Sequence, residues 1–289
     1  MVVHSALPPK LSAEVDAVLS AADAVHVGHG VDDPVAAGVA AAEDSAAVAF
    51  IGPVRSHAVA ETLEATAPAG LPLLAPMATW AGVTREDEPG CEAEHADHRG
   101  TVFRLLARDT EVAARIAHDV RARGGRAFVV AGEHEYGVQL DGQLRLAGLP
   151  RASDGSDADV LVLCGLVGEP EIARARSLTR LPVMAFDGVQ GADLGDGREV
   201  TLALPFAPSP GISPGDVFAG VEQARRAAEL VVEALAAGAR DRASVLARLR
   251  SLGSFDEHGD PVEPDVWLWR RRAGWQLEPD RALDTRAAS

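Results

Sequence analysis

Lysine is almost absent from this sequence. Lys10 is the only one among 27 basic residues, so nearly all positive charge sits on arginine and says little about function. Cysteine is nearly as rare: Cys91 and Cys164 cannot make a disulfide framework. Aromatic residues are only 4 % of the chain, with one tyrosine, and alanine and valine dominate. Basic residues are outnumbered 27 to 43 by acidic ones, a formal net charge of −16. A binder of nucleic acid or of an anionic membrane needs a basic face, so both functions are excluded. No apolar run approaches the ~18 residues that a membrane-spanning helix requires, which excludes direct membrane insertion.

What is present suits a folded protein of some size. The 289 residues exceed one average domain, and 47 % apolar content can fill a proper core. At 24 % charged residues the chain is no disordered polyelectrolyte. Its first residues, Met1–Lys10, show no basic n-region, no long apolar run and no lipobox cysteine. Read as written, the sequence carries no secretion signal, so a cytoplasmic location is expected unless a leader has been removed.

One rhythm repeats along the chain. A short apolar run ends in Gly, Pro or a polar residue, and a helical pattern follows. The runs are Asp23–Val27, Ala47–Ile51, Leu71–Ala75, Ala127–Ala131, Asp159–Cys164, Pro182–Phe186 and Glu199–Phe206. Such runs predict strands buried on both faces. Among the intervening segments, Leu11–Ala22 aligns Leu11, Val15, Val18 and Leu19, and Thr110–Arg123 aligns Val112, Ile116 and Val120, each on one helical stripe. The alternation predicts parallel sheets built from βαβ units. Towards the end, Ser213-Pro214-Gly215-Asp216 starts a long amphipathic helix that Gly238 terminates. A second helix, Ala243–Leu252, stops at Gly253, and Val266–Arg270 with Trp275–Leu277 reads as a closing hairpin.

In open parallel sheets ligands bind beyond the carboxyl ends of the strands. There the sequence places Gly52-Pro53-Val54-Arg55-Ser56-His57, Pro76-Met77-Ala78-Thr79-Trp80, Gly132 to Gly137 with Tyr136, Gly165 to Gly168, and Asp187-Gly188. Hydroxyls and free N–H groups at helix N-termini suit a carboxylate, and one acidic side chain suits an ammonium. Together they read as a zwitterion site. The plainer alternative is that Ser56 and Thr79 only cap helices and that Asp187 is a turn residue.

Ala49-Phe50-Ile51-Gly52-Pro53-Val54-Arg55-Ser56, Pro72 to Thr79, Val102-Phe103-Arg104, Glu135-Tyr136-Gly137 and Leu252 to Pro261 resemble, in order and spacing, the type I periplasmic-binding-protein family. The resemblance is to the branched-chain amino-acid (Leu/Ile/Val) substrate-binding proteins of ABC transporters. It implies an α/β fold of two Rossmann-like lobes with parallel sheets joined by three hinge crossings, closing on a ligand. The lobes would be 1–106 plus 206–253 and 107–205 plus 254–289, with crossings near Leu105–Arg108, Leu204–Ala207 and Gly253–Asp256.

The resemblance further implies a non-enzymatic binder of a small, aliphatic amino acid or related carboxylate in the interlobe cleft, with no cofactor and an ABC permease as partner. Ser56 or His57, with Thr79, would take the carboxylate. The Ala78 carbonyl and Asp187 would take the ammonium, and Tyr136 would close over from the second lobe. The family is extracytoplasmic, which conflicts with the leaderless sequence. Relatives often carry Ser or Thr where His57 stands, and the stretches after Gly142 and at Pro208–Ser213 are short, so the chain reads as a trimmed member. A cytoplasmic ligand sensor on the same fold is the alternative.

Competing chemistry is weaker. Cys91, His95 and His98 have helix-compatible spacing for a zinc ion, but an acidic solvated loop flanked by Gly90 and Gly100 is the simpler reading, and no metal is expected. His134 between Glu133 and Glu135 suggests acid–base work, with an exposed loop as the simpler reading. Gly28-His29-Gly30 lacks the third glycine of a dinucleotide fingerprint, since Asp33 holds that place.

Overall fold

A computed structural model describes the chain except residues 86–97, 133–134, 166–167, 179, 188–193, 195–197, 206–219, 265, 272–274 and 278–289. The chain divides into two compact units, Met1–Arg108 with Gly220–Pro264, and Asp109–Ala219 with Asp265–Ser289.

Unit 1 contains β1 (Val2–Ala6), α1 (Pro9–Ser20), β2 (Val25–His29), α2 (Pro34–Glu43), β3 (Ala47–Ile51), α3 (Ser56–Thr66), β4 (Leu73–Ala75), a 3₁₀ turn (Ala81–Val83), β5 (Val102–Arg104), α7 (Val221–Ala236) and α8 (Arg242–Ser251). Its strands form one parallel sheet in the order β2-β1-β3-β4-β5. The strands β3, β4 and β5 are buried throughout; β3 and β4 are uninterrupted apolar runs, and β5 is apolar up to Arg104. On one face, Val3, Ile51 and Leu74 pack with the apolar stripes of α1 and α7. On the other, Ala6, Phe50 and Leu73 pack with α2 and α3. The ridge Ala224, Ala227, Ala228 and Val231 of α7 is almost wholly small side chains, which lets that helix lie close to α1.

Unit 2 contains α4 (Asp109–Ala122), β6 (Ala127–Ala131), α5 (Glu135–Leu146), β7 (Val160–Cys164), α6 (Glu169–Ser177), β8 (Val183–Ala185), β9 (Val200–Leu204), β10 (Trp267–Arg271) and β11 (Trp275–Leu277). The sheet order is β11-β10-β9-β8-β7-β6. Strands β6 to β9 run parallel, and β10 and β11 close the sheet as an antiparallel hairpin. Val112, Ile116 and Val120 of α4 and Leu140 and Leu144 of α5 cover one face with Val160, Val162 and Met184 beneath them. Leu268 and Trp269 are buried, so the late tryptophan strand serves packing.

The last passage between the units differs from expectation. It falls at Pro264/Asp265 and not near Gly253–Asp256. Residues 254–264 belong with unit 1 because Asp256 and Asp260 pair with Arg85 and Arg104 there, and the Phe255 ring packs on Phe103 with centroids 5.0 Å apart. The expected helix start at Ser213-Pro214 lies outside the described residues.

Candidate functional site

The carboxyl end of the unit 1 sheet gathers four of the expected residues. After β3 the chain turns sharply at Gly52, whose φ is +102° and where a Cβ would stand 2.8 Å from the Ala6 carbonyl oxygen. Only glycine fits there, and the turn delivers Ser56 to the first position of α3. The cap of α3 is Arg55, which makes no side-chain cap bond, so the plainer reading of Ser56 as a cap does not hold. The Ser56 hydroxyl instead accepts from the backbone N–H groups of Thr79 and Trp80, each at 3.2 Å. It thereby joins the turn after β3 to the loop after β4.

Those two bonds occupy both lone pairs of Ser56 Oγ, which leaves its proton to donate. Among the described residues that proton has no acceptor, and the Thr79 hydroxyl has no partner. Thr79 caps nothing either: the 3₁₀ turn is capped by Trp80, without a side-chain bond. Thr79 is nearly buried and Ser56 half-buried. The N–H groups of the first turn of α3 have no helical acceptor by construction. Ser56, Thr79 and the first turn of α3 therefore offer a set of hydrogen-bond donors, which is what an anion requires. His57 is exposed, with its ring 5.6 Å from that of Trp80. The Ala78 carbonyl is buried and already accepts from Arg104 Nη1 at 3.2 Å. One of its lone pairs is thus committed inside the protein.

Unit 2 carries the other two residues. At the carboxyl ends of β6 and β7, backbones meet without side chains between them. A Cβ on Gly165, whose φ is +77°, would stand 2.5 Å from the Gly137 Cα. This close approach seats the start of α5, and with it Tyr136. The Tyr136 hydroxyl donates to Asp109 Oδ1 at 3.2 Å, so its ring is anchored at the beginning of α4. Asp187 follows β8 and is half-buried.

Other constellations dissolve on inspection. Ser5, His26 and Asp16 mimic a hydrolytic triad: Ser5 Oγ lies 2.8 Å from His26 Nε2, and His26 Nδ1 lies 3.4 Å from Asp16 Oδ1. Ser5 is fully buried in the middle of the sheet, so no substrate reaches it. Asp33 caps α2 by accepting from the Ala36 N–H at 2.8 Å, which is why a glycine-rich phosphate turn does not form there. Of the metal candidates, Cys91 and His95 lie outside the described residues, as does His134. His98 Nδ1 accepts from the Gly100 N–H. Cys164 is buried, and that burial pushes its thiol well above the ordinary range, the opposite of a nucleophile.

Sequence reasoning did not assign a role to Arg104 or Asp260. Arg104 is fully buried and Asp260 nearly so. The signal was a charged residue at the end of an otherwise apolar strand, Val102-Phe103-Arg104, but its partner lies more than a hundred residues away in the chain.

No family model matches the chain, and no curated protein matches it. Solved structures do. An ABC transporter substrate-binding protein from Desulfitobacterium hafniense in complex with Leu is 19 % identical, with 96 % of this chain and 99 % of that one covered and a TM-score of 0.74. The leucine binding protein LivK of Thermotoga maritima is 17 % identical, with 96 % and 98 % covered and a TM-score of 0.68. A solute binding protein from R. palustris in complex with 4-hydroxybenzoate is 14 % identical, with 97 % and 95 % covered and a TM-score of 0.66. At such identities the likeness establishes the fold: two Rossmann-like α/β units of the type I periplasmic-binding-protein kind.

Proposed function

We propose that the protein is a non-enzymatic solute-binding protein that takes a small aliphatic amino acid, or a related carboxylate, for ABC-type transport. The observation that carries this reading is the state of Ser56. With both lone pairs filled by the Thr79 and Trp80 N–H groups, its hydroxyl can only donate, and among the described residues the hydroxyl of Thr79, whose own N–H makes one of those bonds, has no partner. Donors without acceptors match a carboxylate. In this reading unit 1 holds the carboxylate, Asp187 of unit 2 meets the ammonium, and Tyr136 completes the enclosure. The solved structure in complex with Leu supports the amino-acid choice, and the one in complex with 4-hydroxybenzoate supports the wider class of carboxylates.

The chemistry is recognition alone. A carboxylate leaving water must recover its hydrogen bonds, because an unpaired buried charge is costly. Nothing in the donor set acts as a nucleophile or base. Calorimetric titration with leucine and isoleucine tests the reading. The unaltered protein should bind, and Ser56→Ala should weaken binding by about 1.5–3 kcal/mol, the scale of a hydrogen bond to a charged group. Equal affinity in the variant would contradict the role given to Ser56.

A further inference from the structure

Arg104, at the end of β5, is the largest fully buried side chain of the described residues. Its guanidinium bonds to one stretch of backbone. Nη1 donates to the carbonyls of Ala78 at 3.2 Å and Trp80 at 2.9 Å, and Nη2 donates to the Ala81 carbonyl at 3.4 Å and to Thr84 Oγ1 at 2.6 Å. The third nitrogen, Nε, donates to Asp260 Oδ1 at 2.9 Å. Thr84 donates to the same Asp260 oxygen at 2.6 Å, and Arg85 Nε donates to Oδ2 at 2.9 Å. Burial alone would raise the Asp260 carboxyl, but Arg104, Thr84, Arg85 and Arg108 outweigh it and hold it below its ordinary value. The carboxylate is therefore ionised at neutral pH and fixes the guanidinium plane.

The stretch so held, 78–84, is the one whose Thr79 and Trp80 N–H groups meet Ser56. Peptide planes are rigid, so fixing the carbonyls of Ala78 and Trp80 fixes the direction of the N–H groups of Thr79 and Ala81 that share those planes. We propose that Arg104, locked by Asp260 and Thr84, is the positioning residue of the carboxylate half-site. It touches no ligand. It holds the loop in the one arrangement that fills the Ser56 lone pairs and turns the Ser56 and Thr79 hydroxyls outward as donors. This rests on the reading of Ser56 and Thr79 as the anion-binding pair.

The test uses the full chain with Thr84→Val, which keeps the shape of the side chain and removes the hydroxyl between Arg104 and Asp260. Asp260→Asn is the stronger second variant. Amide hydrogen exchange is measured first, without ligand. The Thr79 and Trp80 amides should exchange roughly tenfold faster or more in Thr84→Val, while β3 keeps its protection. Unchanged exchange in that loop overturns the inference, whatever the protein binds. Titration with leucine and leucinol follows, a pair that differs in the carboxylate. The preference for leucine should shrink roughly tenfold in Thr84→Val, as expected for weakened bonds to a charged group, with leucinol binding little changed. An equal loss for both compounds would mean general loosening and overturn the inference, as would an unchanged preference. If the unaltered protein binds no amino acid or carboxylate, the proposed function fails, and the exchange measurement still decides the role of Arg104.

Discussion

Ser56 and Thr79 show what a single hydroxyl decides. Their positions were legible in the sequence because each follows an apolar run that could only be a buried strand. Their state was not, since whether a serine caps its own helix or clasps another loop depends on a contact across 23 positions. The Ala78 carbonyl is a similar case. Arg104 already claims one of its lone pairs, so under the proposed function the ammonium of a zwitterion would depend chiefly on Asp187. Replacing Asp187 with Ala should therefore cost most of the affinity for leucine, about 1.5–3 kcal/mol. A small carboxylate without an amino group should be affected far less. Titrating both ligands into the variant checks this, and equal losses would contradict it. Cys164 makes the opposite point, a potentially reactive group kept inert. Its thiol should resist alkylation in the native protein and react after denaturation, which peptide mapping would show.

At the scale of elements, the strands with unbroken apolar runs were plain in the sequence and β1 was the hard one. Val2–Ala6 contains the polar residues His4 and Ser5, which interrupt the apolar pattern, yet both are buried. They are tolerated because each has a partner. His4 Nε2 lies 3.0 Å from Asp44 Oδ2 and Nδ1 lies 2.9 Å from His29 Nε2, while Ser5 pairs with His26. Such pairing crosses between strands and helices and leaves no local sequence pattern.

The pairing also has a price in pH range. Burial, followed by the neighbouring His4, lowers the pKa of His29; burial outweighs the Asp16 carboxylate in lowering that of His26. A histidine with a depressed folded pKa binds its proton more readily when unfolded. Its contribution to stability is therefore complete above the ordinary value of 6.5 and declines as pH falls below it. Thermal unfolding between pH 7.5 and 5.5 should show a falling midpoint, and His29→Gln should flatten that slope. A slope unchanged by the substitution would contradict the account. Asp260 acts in a different window: its depressed carboxyl stabilises the fold above its ordinary value of 3.8, and that contribution disappears in stronger acid.

For the whole molecule, the alternation of strand and helix specified parallel α/β sheets, and the order of several short motifs pointed to two units and to the fold that the solved structures share. The division of the chain was harder to read. Residues 254–264 follow a helix of unit 1 and precede a strand of unit 2, and long-range contacts such as the buried pairing of Asp260 with Arg104 show which side they join. Composition bears on the molecule's partners as well. A net charge of −16 turns away anionic polymers, while a single carboxylate needs only local donors.

The most direct test of that central claim is thermal unfolding of the full chain against leucine, isoleucine, valine and small carboxylates lacking an amino group. A ligand present at 100 times its dissociation constant adds about 2.7 kcal/mol, which for a chain of this size raises the midpoint by about 5–10 °C. The account predicts such a rise with the aliphatic amino acids, and its loss in Thr79→Ala. No rise with any compound bearing a carboxylate would contradict it.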